Sequence, residues 1–268
     1  MSDNSYKMIK SLLASSKPGD VRRGLKLVRE EIAREGTNEA RPLFEMVTAI
    51  FYIDPLDRPD LVPVIDEAIN LVVGFGKWII PVLVENLDAG DFKVQLAISH
   101  ALGRIGADAI KPLINEFHTT NEPTIRAFIL YAMGKIKSHK IVQALPLIIE
   151  AAQSPDPELR DTATRAIGKL VESIPLSDLS DEQRLALIER LTQNLGDSNA
   201  GIRAKAVRSF GKLAKYGHLT SDEKEKLNAL CQLILGIDEN FEWDRAYIVR
   251  KEAEEALNYV KNQMNQKR

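Results

Sequence analysis

The chain reads as an all-α protein built from about seven repeated helix pairs, and three observations lead to that reading. An apolar block recurs four times in one frame: VQLAISHALGRIG from Val94, IRAFILYAMGKIK from Ile125, LRDTATRAIGKLV from Leu159 and IRAKAVRSFGKLA from Ile202. Within each copy the aliphatic residues recur at helical spacing; Val94, Ile98, Ala101, Leu102 and Ile105 fall on one face, and Ile125, Ile129, Ala132, Met133 and Ile136 repeat that set. No stretch of useful length alternates apolar and polar residues as a half-buried strand requires, so no sheet is predicted.

The spacing inside the unit is constant while the spacing between units is not. A glycine follows the first aliphatic by nine residues in each copy, at Gly103, Gly134, Gly168 and Gly211, and a basic residue follows the glycine: Arg104, Lys135, Lys169 and Lys212. Pro81, Pro112 and Pro146 each precede their glycine by 22 residues, whereas successive glycines are 31, 34 and then 43 residues apart. Insertions therefore fall in linkers, as they do when each repeat is a pair of helices. The prolines suit the start of a first helix, where a missing N–H is tolerated. Asp91, Glu122 and Asp156 suit the start of the second, where free N–H groups and the dipole favour an acidic residue. Alanines at 101, 132 and 166 allow neighbouring helices to approach, and the glycines serve packing or termination. Approximate pair limits are 6–36, 40–76, 77–106, 107–137, 138–173, 181–217 and 219–265, within a single domain spanning 1–268. SIPLSDLSDEQ from Ser173 reads as a loop ending in a helix start, and the segment near 236–247 as a loop insertion.

Composition narrows the function classes. With 268 residues, 44% hydrophobic and 28% charged, the chain can bury a sizeable core. A formal net charge of −2 gives no bulk attraction for a polyanion. The single cysteine, Cys231, lies in an apolar run and reads as a small buried hydrophobe, so neither an intramolecular disulfide nor a cysteine metal site is expected. The opening MSDNSYKMIK lacks the apolar core of a signal peptide and no apolar run is long enough for a membrane span, which predicts a cytoplasmic protein. His100, His118, His139 and His218 make no metal-ligand spacing. No nucleophile elbow, Walker loop or dinucleotide fingerprint occurs. Spacing alone leaves a pair of catalytic carboxylates open, because repeats bring distant residues together, yet no motif supports one. A non-enzymatic protein without cofactor or metal is expected.

The pattern Asp-x-x-Val-Arg-x-x-Ala-x-x-Ala-Leu-Gly-x-Ile, matched closely from Trp78 to Gly217, resembles the HEAT-repeat family, especially its phycobilisome-lyase-like branch. The chain departs from it in places: Gln95 stands where the family has arginine, Asp66 does so in the earlier copy of Ile65–Gly74, and Asn258 replaces glycine in the last. The resemblance implies an armadillo-like, right-handed α-α superhelix whose second helices line a concave face. It further implies that Arg126, Arg160 and Arg203 pair with turn carboxylates of adjacent repeats.

On that face the positions six after the first aliphatic, His100, Tyr131, Arg165 and Arg208, have no such built-in role and are candidate contacts for a protein partner. Phe241, Trp243 and Arg245, in the charged insertion, are candidates too, because aromatics and arginine anchor interfaces. Alternatively Phe241 and Trp243 fold inward and cap the last repeat. The acidic residues around them lack the ligand order of a calcium loop. Trp78 reads as packing. The function expected is a protein-binding scaffold or assembly factor. Two alternatives follow from resemblance: a bilin lyase subunit or chromophore-handling chaperone, and a HEAT-like nucleic-acid binder using Arg160, Arg165, Arg203, Arg208 and Lys212. The oligomeric state is left open.

The predicted core carries its own test. Leu102 occupies the buried face of a middle repeat, so Leu102→Ala is expected to destabilise by about 2–5 kcal/mol. Urea unfolding followed by circular dichroism measures it; an unchanged midpoint contradicts the assignment.

Overall fold

The computed structural model describes residues 3–237 and 243–265, and it divides into two compact units, Met1–Glu116 and Phe117–Arg268. Among the described residues there are fourteen α-helices and no strand. The first unit contains α1 (Asp3–Leu13), α2 (Pro18–Glu35), α3 (Arg41–Thr48), α4 (Val62–Val73), α5 (Ile79–Glu85) and α6 (Phe92–Ile105), and α7 (Ala107–Thr119) carries the chain across the division. The second contains α8 (Pro123–Met133), α9 (Leu145–Ala151), α10 (Pro157–Leu170), α11 (Asp181–Asn194), α12 (Ala200–Lys215), α13 (Ser221–Leu235) and α14 (Tyr247–Asn265). In chain order the fourteen helices match the number expected from the spacing, and their limits follow it within a few residues.

Each unit is two helices deep. In the first, α2, α4 and α6 pack in succession, with α1, α3 and α5 packed on their own partners; in the second, α8, α10, α12 and α14 form the continuous layer and α9, α11 and α13 the other. The apolar stripes meet between the layers. Val94, Ile98, Ala101, Leu102, Ile125, Ile129, Ala132, Met133 and Ile136 are all buried, while Ile105 is half-buried at its helix end. Cys231 is buried as expected, and burial pushes its thiol up to about 12.

Local chemistry sets the helix starts. Asp91 accepts the N–H groups of Lys93 and Val94 at 2.9 and 3.3 Å, Asp156 accepts Leu159 N–H at 2.8 Å, and Asn199 caps α12 through Gly201 N–H at 2.8 Å. Glu122 occupies the same position on α8 but makes no side-chain cap, its extra methylene being a poor fit for that short reach. Ser180 with Gln183, and Thr220 with Glu223, form reciprocal capping boxes that start α11 and α13. The loop-to-helix reading of Ser173 onward is thereby explained. Gly106 sits at φ 81°, a conformation that favours glycine, and turns the chain from α6 into α7.

Two expectations are corrected. Pro112 lies inside α7 and not near its start, because that helix begins a turn earlier at Ala107, whereas the segment before Pro146 is 3₁₀. In α4 Val64, Ala68, Ile69, Leu71 and Val72 are buried, so Ile69 and Val72 keep the frame anchored on Ile65, whereas Ile65 and Val73 are half-buried and Gly74 is exposed; the buried face of this degenerate copy is turned toward Val64, Ala68 and Leu71.

The register glycines of the second unit make room for the next helix. A Cβ on Gly168 would lie 2.5 Å from Ser209 Oγ and 3.0 Å from Ser209 Cα, and one on Gly211 would lie 3.0 Å from Ala256 Cβ. At Gly134 the nearest atoms stand at 3.5 Å, an ordinary contact. Gly168→Ala is therefore expected to cost about 1–3 kcal/mol by overpacking against backbone. Gly134→Ala is expected to be neutral or to stabilise by a few tenths of a kcal/mol through helix propensity. Paired urea titrations of the two variants check the contrast.

Candidate functional site

The turn arginines of the second unit are structural. Arg160 donates to the Ser154 carbonyl at 2.7 Å and, through Nε, to Asp197 in the next repeat at 2.6 Å. Arg203 repeats the arrangement one unit on, donating to the Asp197 carbonyl at 2.9 Å and to both oxygens of Asp244 at 2.8 and 2.9 Å. Arg250 donates to the Asp244 carbonyl at 2.7 Å, and Arg126 to that of Thr120 at 2.9 Å. Each arginine thus ties down its own turn, and Arg160 and Arg203 also grip the following one. The hydrogen bonds from Arg160 and Arg203 hold the carboxyls of Asp197 and Asp244 below the usual carboxylate range. Gln95, the residue replacing arginine, is buried and donates to the Leu87 carbonyl at 2.7 Å, so its place in the register is filled by a neutral bond.

The candidate contacts fall into separate places. His100 is half-buried on α6 in the first unit and lines a groove of about 540 Å³ with Leu56, Val62, Ile65, Phe92 and Leu96. Leu56 is 91% and Phe92 65% exposed, so the groove is open and mostly apolar. Its rim charges are satisfied internally: Lys93 meets Asp54 at 3.3 Å, and Arg104 pairs with Asp66. In the second unit Tyr131 and Arg165 are brought together, the guanidinium 5.7 Å from the ring centroid, with Lys135 Nζ at 4.9 Å from the same ring. Together with Thr162 and Lys169 they surround a hollow of about 20 Å³, room for one water or one ligand oxygen.

Arg208 differs from what its register position suggests. Its guanidinium forms a two-pronged pair with Glu252, a buried carboxylate on α14, with Nε at 2.7 Å. Trp243 does not fold inward: it is 58% exposed and lies beneath the Arg250 guanidinium, 4.5 Å from ring centroid to Cζ. Asp244, next to it, anchors the segment through Arg203. Arg245 is exposed, and Phe241 lies outside the described residues. Trp78 packs edge-on against Phe44 and Phe75 beneath Arg41, as the packing reading anticipated.

Sequence reasoning missed Glu172. This carboxylate receives Lys137 at 3.0 Å, Lys169 at 3.3 Å and Lys212. Burial acts to raise its pKa, but hydrogen bonds and charges from Lys212 and Lys137 prevail and hold it at about 2. The signal was present in the basic residue that follows every register glycine: stacked repeats place Lys169 and Lys212 side by side, and such a ladder needs a counter-ion. No helix among the described residues is long and apolar enough to cross a membrane, and no group of three potential metal ligands occurs among them.

Comparison with known families matches residues 80–168 to HEAT repeats. The match covers 89 of the 268 residues. It runs from α5 into α10 and includes the stretch over which the sequence copies are most regular. Comparison with curated proteins finds no match. Among solved structures, an engineered protein is similar at a TM-score of 0.50 and 18% identity, covering 98% of each chain. The complex of CpcE and CpcF of phycocyanin lyase from Nostoc sp. PCC7120 is similar at 0.51 and 19% identity, covering 66% of this chain and 97% of that one. At these identities the likeness extends to the fold: an all-α solenoid of the HEAT and armadillo type.

The Glu172 cluster has a pH signature. A carboxyl held at about 2 instead of its ordinary 4.5 stabilises the fold fully above pH 4.5, and that contribution is lost as pH falls from 4.5 towards 2. Glu172→Gln is expected to unfold more easily at neutral pH by about 1–3 kcal/mol. Its deficit relative to the parent chain should shrink through that acid window, measured by denaturant titration at successive pH values.

Proposed function

We propose that this chain is a non-enzymatic protein-binding scaffold or assembly factor whose HEAT repeats present the second helices to a partner. The observation that carries the reading is the groove of the first unit, where Leu56 and Phe92 stand exposed above an apolar floor that reaches His100 on α6. Large exposed apolar side chains grouped around one concavity mark interaction sites on soluble folds. The rim cations are already neutralised by Asp54 and Asp66, so the occupant is an apolar or amphipathic segment of a protein, held by side-chain burial. On the second unit Tyr131, Arg165, Trp243 and Arg245 serve as further contacts. Arg208, occupied by Glu252, contributes least.

The nucleic-acid reading loses support on electrostatic grounds. Of the five cations it invoked, Arg160, Arg203, Arg208 and Lys212 are each held by a carboxylate of the chain. A phosphate backbone would have to displace those partners to gain its own contacts.

A photo-crosslinking residue at Phe92 is expected to trap a protein from the native host, while one at exposed Lys111 on α7 does not. Leu56→Asp with Phe92→Asp should lower affinity for that trapped protein by about tenfold or more, with the helical circular dichroism unchanged. Failure to trap a protein at Phe92, or undiminished affinity in the double variant, rejects the reading. A saturable absorbance shift on adding a free linear tetrapyrrole would favour chromophore handling instead.

A further inference from the structure

In the second-helix layer of the second unit one arginine is paired across to the next helix while its register equivalent is not. Arg208, six residues after the first aliphatic of α12, pairs with Glu252, which lies three after the first aliphatic of α14. Arg165 occupies the same place on α10. The residue at the matching place on α12 is not an acid but Lys205, which turns away to Asp161. Among the described residues Arg165 makes no ion pair. Its side chain is exposed and its recorded interaction is with the Tyr131 ring, where it shares the aromatic face with Lys135, a second cation without an ion pair among those residues.

Two cations held near one ring repel each other, and exposed cation–π contacts contribute only about 0.5–1 kcal/mol each. Lys169, the third cation at this place, reaches Glu172 at 3.3 Å, but that carboxylate already serves Lys137 and Lys212. The internal anions are therefore committed. The hollow between the cations has space for one oxygen, with Leu130, Gly134, Thr162 and Ala166 completing a mostly apolar wall. A carboxylate oxygen placed there would take charge-assisted hydrogen bonds from Arg165 and Lys135, which are stronger than the contacts they now make.

We propose that the hollow framed by Tyr131, Lys135, Thr162, Arg165 and Lys169 is a binding site for the carboxylate of an acidic segment of a partner protein, supplying the anion that position 205 lacks. The site favours separate carboxylates over a nucleic-acid backbone. Its cations form an island and not a track: in the same layer Lys205 is engaged by Asp161, Lys212 by Glu172 and Arg208 by Glu252, so they do not extend it for a continuous run of phosphates. It is also distinct from the apolar groove of the first unit, so either site can fail without the other.

The test is fluorescence anisotropy of the full chain with a fluorescein-labelled Glu–Ser repeat peptide. The equivalent Gln–Ser peptide and an oligo-dT strand of similar length serve as comparisons. Expected are saturable binding of the acidic peptide that weakens with salt, no binding of the Gln–Ser peptide, and weaker binding of oligo-dT. Arg165→Ala and Lys135→Ala should each weaken acidic-peptide binding by about tenfold, whereas removing another exposed charge on α12 with Lys215→Ala should change it by less than about twofold. Lys205→Glu, which offers Arg165 an internal carboxylate, should also weaken it. Unfolding midpoints establish that each variant is folded, and two independent single substitutions guard against one that is not. Equal affinity for the Gln–Ser peptide, stronger binding of oligo-dT, or undiminished binding in both folded alanine variants overturns the proposal.

Discussion

Close approach of successive second helices is the constraint on which the second unit depends. At Gly168 the backbone of Ser209 stands where a side chain would begin, and at Gly211 that of Ala256 does. Helices this close bury the polar atoms between them, and those atoms must be paired. Ser209 donates to the Thr164 carbonyl at 2.9 Å, while Asn194 donates to Thr164 Oγ1 at 2.7 Å and to the Ala152 carbonyl at 3.0 Å. Glycine spacing, a buried hydroxyl and a buried amide therefore belong to one arrangement.

The turn arginines secure the end of that arrangement where the second helices begin. The guanidiniums of Arg160 and Arg203 bind carbonyls of one turn and a carboxylate of the next, a planar donor set that lysine could not reproduce. Asp197 and Asp244 each serve one repeat with their backbone and the preceding repeat with their side chain. Because these cations are consumed by structure, the surface left for binding is smaller than the basic composition of α10 and α12 suggests. What remains is set by Lys205, which stands where α14 has Glu252, and by the irregular segment around Leu56 that links α3 to α4.

Much of the fold was legible because its determinants are local. Aliphatic spacing located the second helices, Asp91 and Asp156 marked two of their starts, and the glycine–basic doublet kept the frame. The exceptions are instructive. Pro112 was assigned by analogy with Pro81 and Pro146, but α7 starts a turn earlier. The rotation of α4 was hidden because Ile65 and Val64 are adjacent aliphatics and only packing selects between them. Placing Tyr131 and Arg165 together needed only their shared register position. The groove at Leu56 could not be inferred, because it depends on where an irregular segment lies against α6.

The sequence by itself determined the helix pairs, their frame and the roles of their caps and glycines, since each depends on residues within a few turns of one another. Only the tertiary structure decided which charges are neutralised and which apolar side chains stay exposed. Arg208 and Glu252 are 44 residues apart, and so are Lys205 and Asp161; repeat stacking makes them neighbours. Whether a cation in such a layer is clamped or left for a partner depends on one side chain in the adjoining helix, and sequence distance carries no measure of that contact.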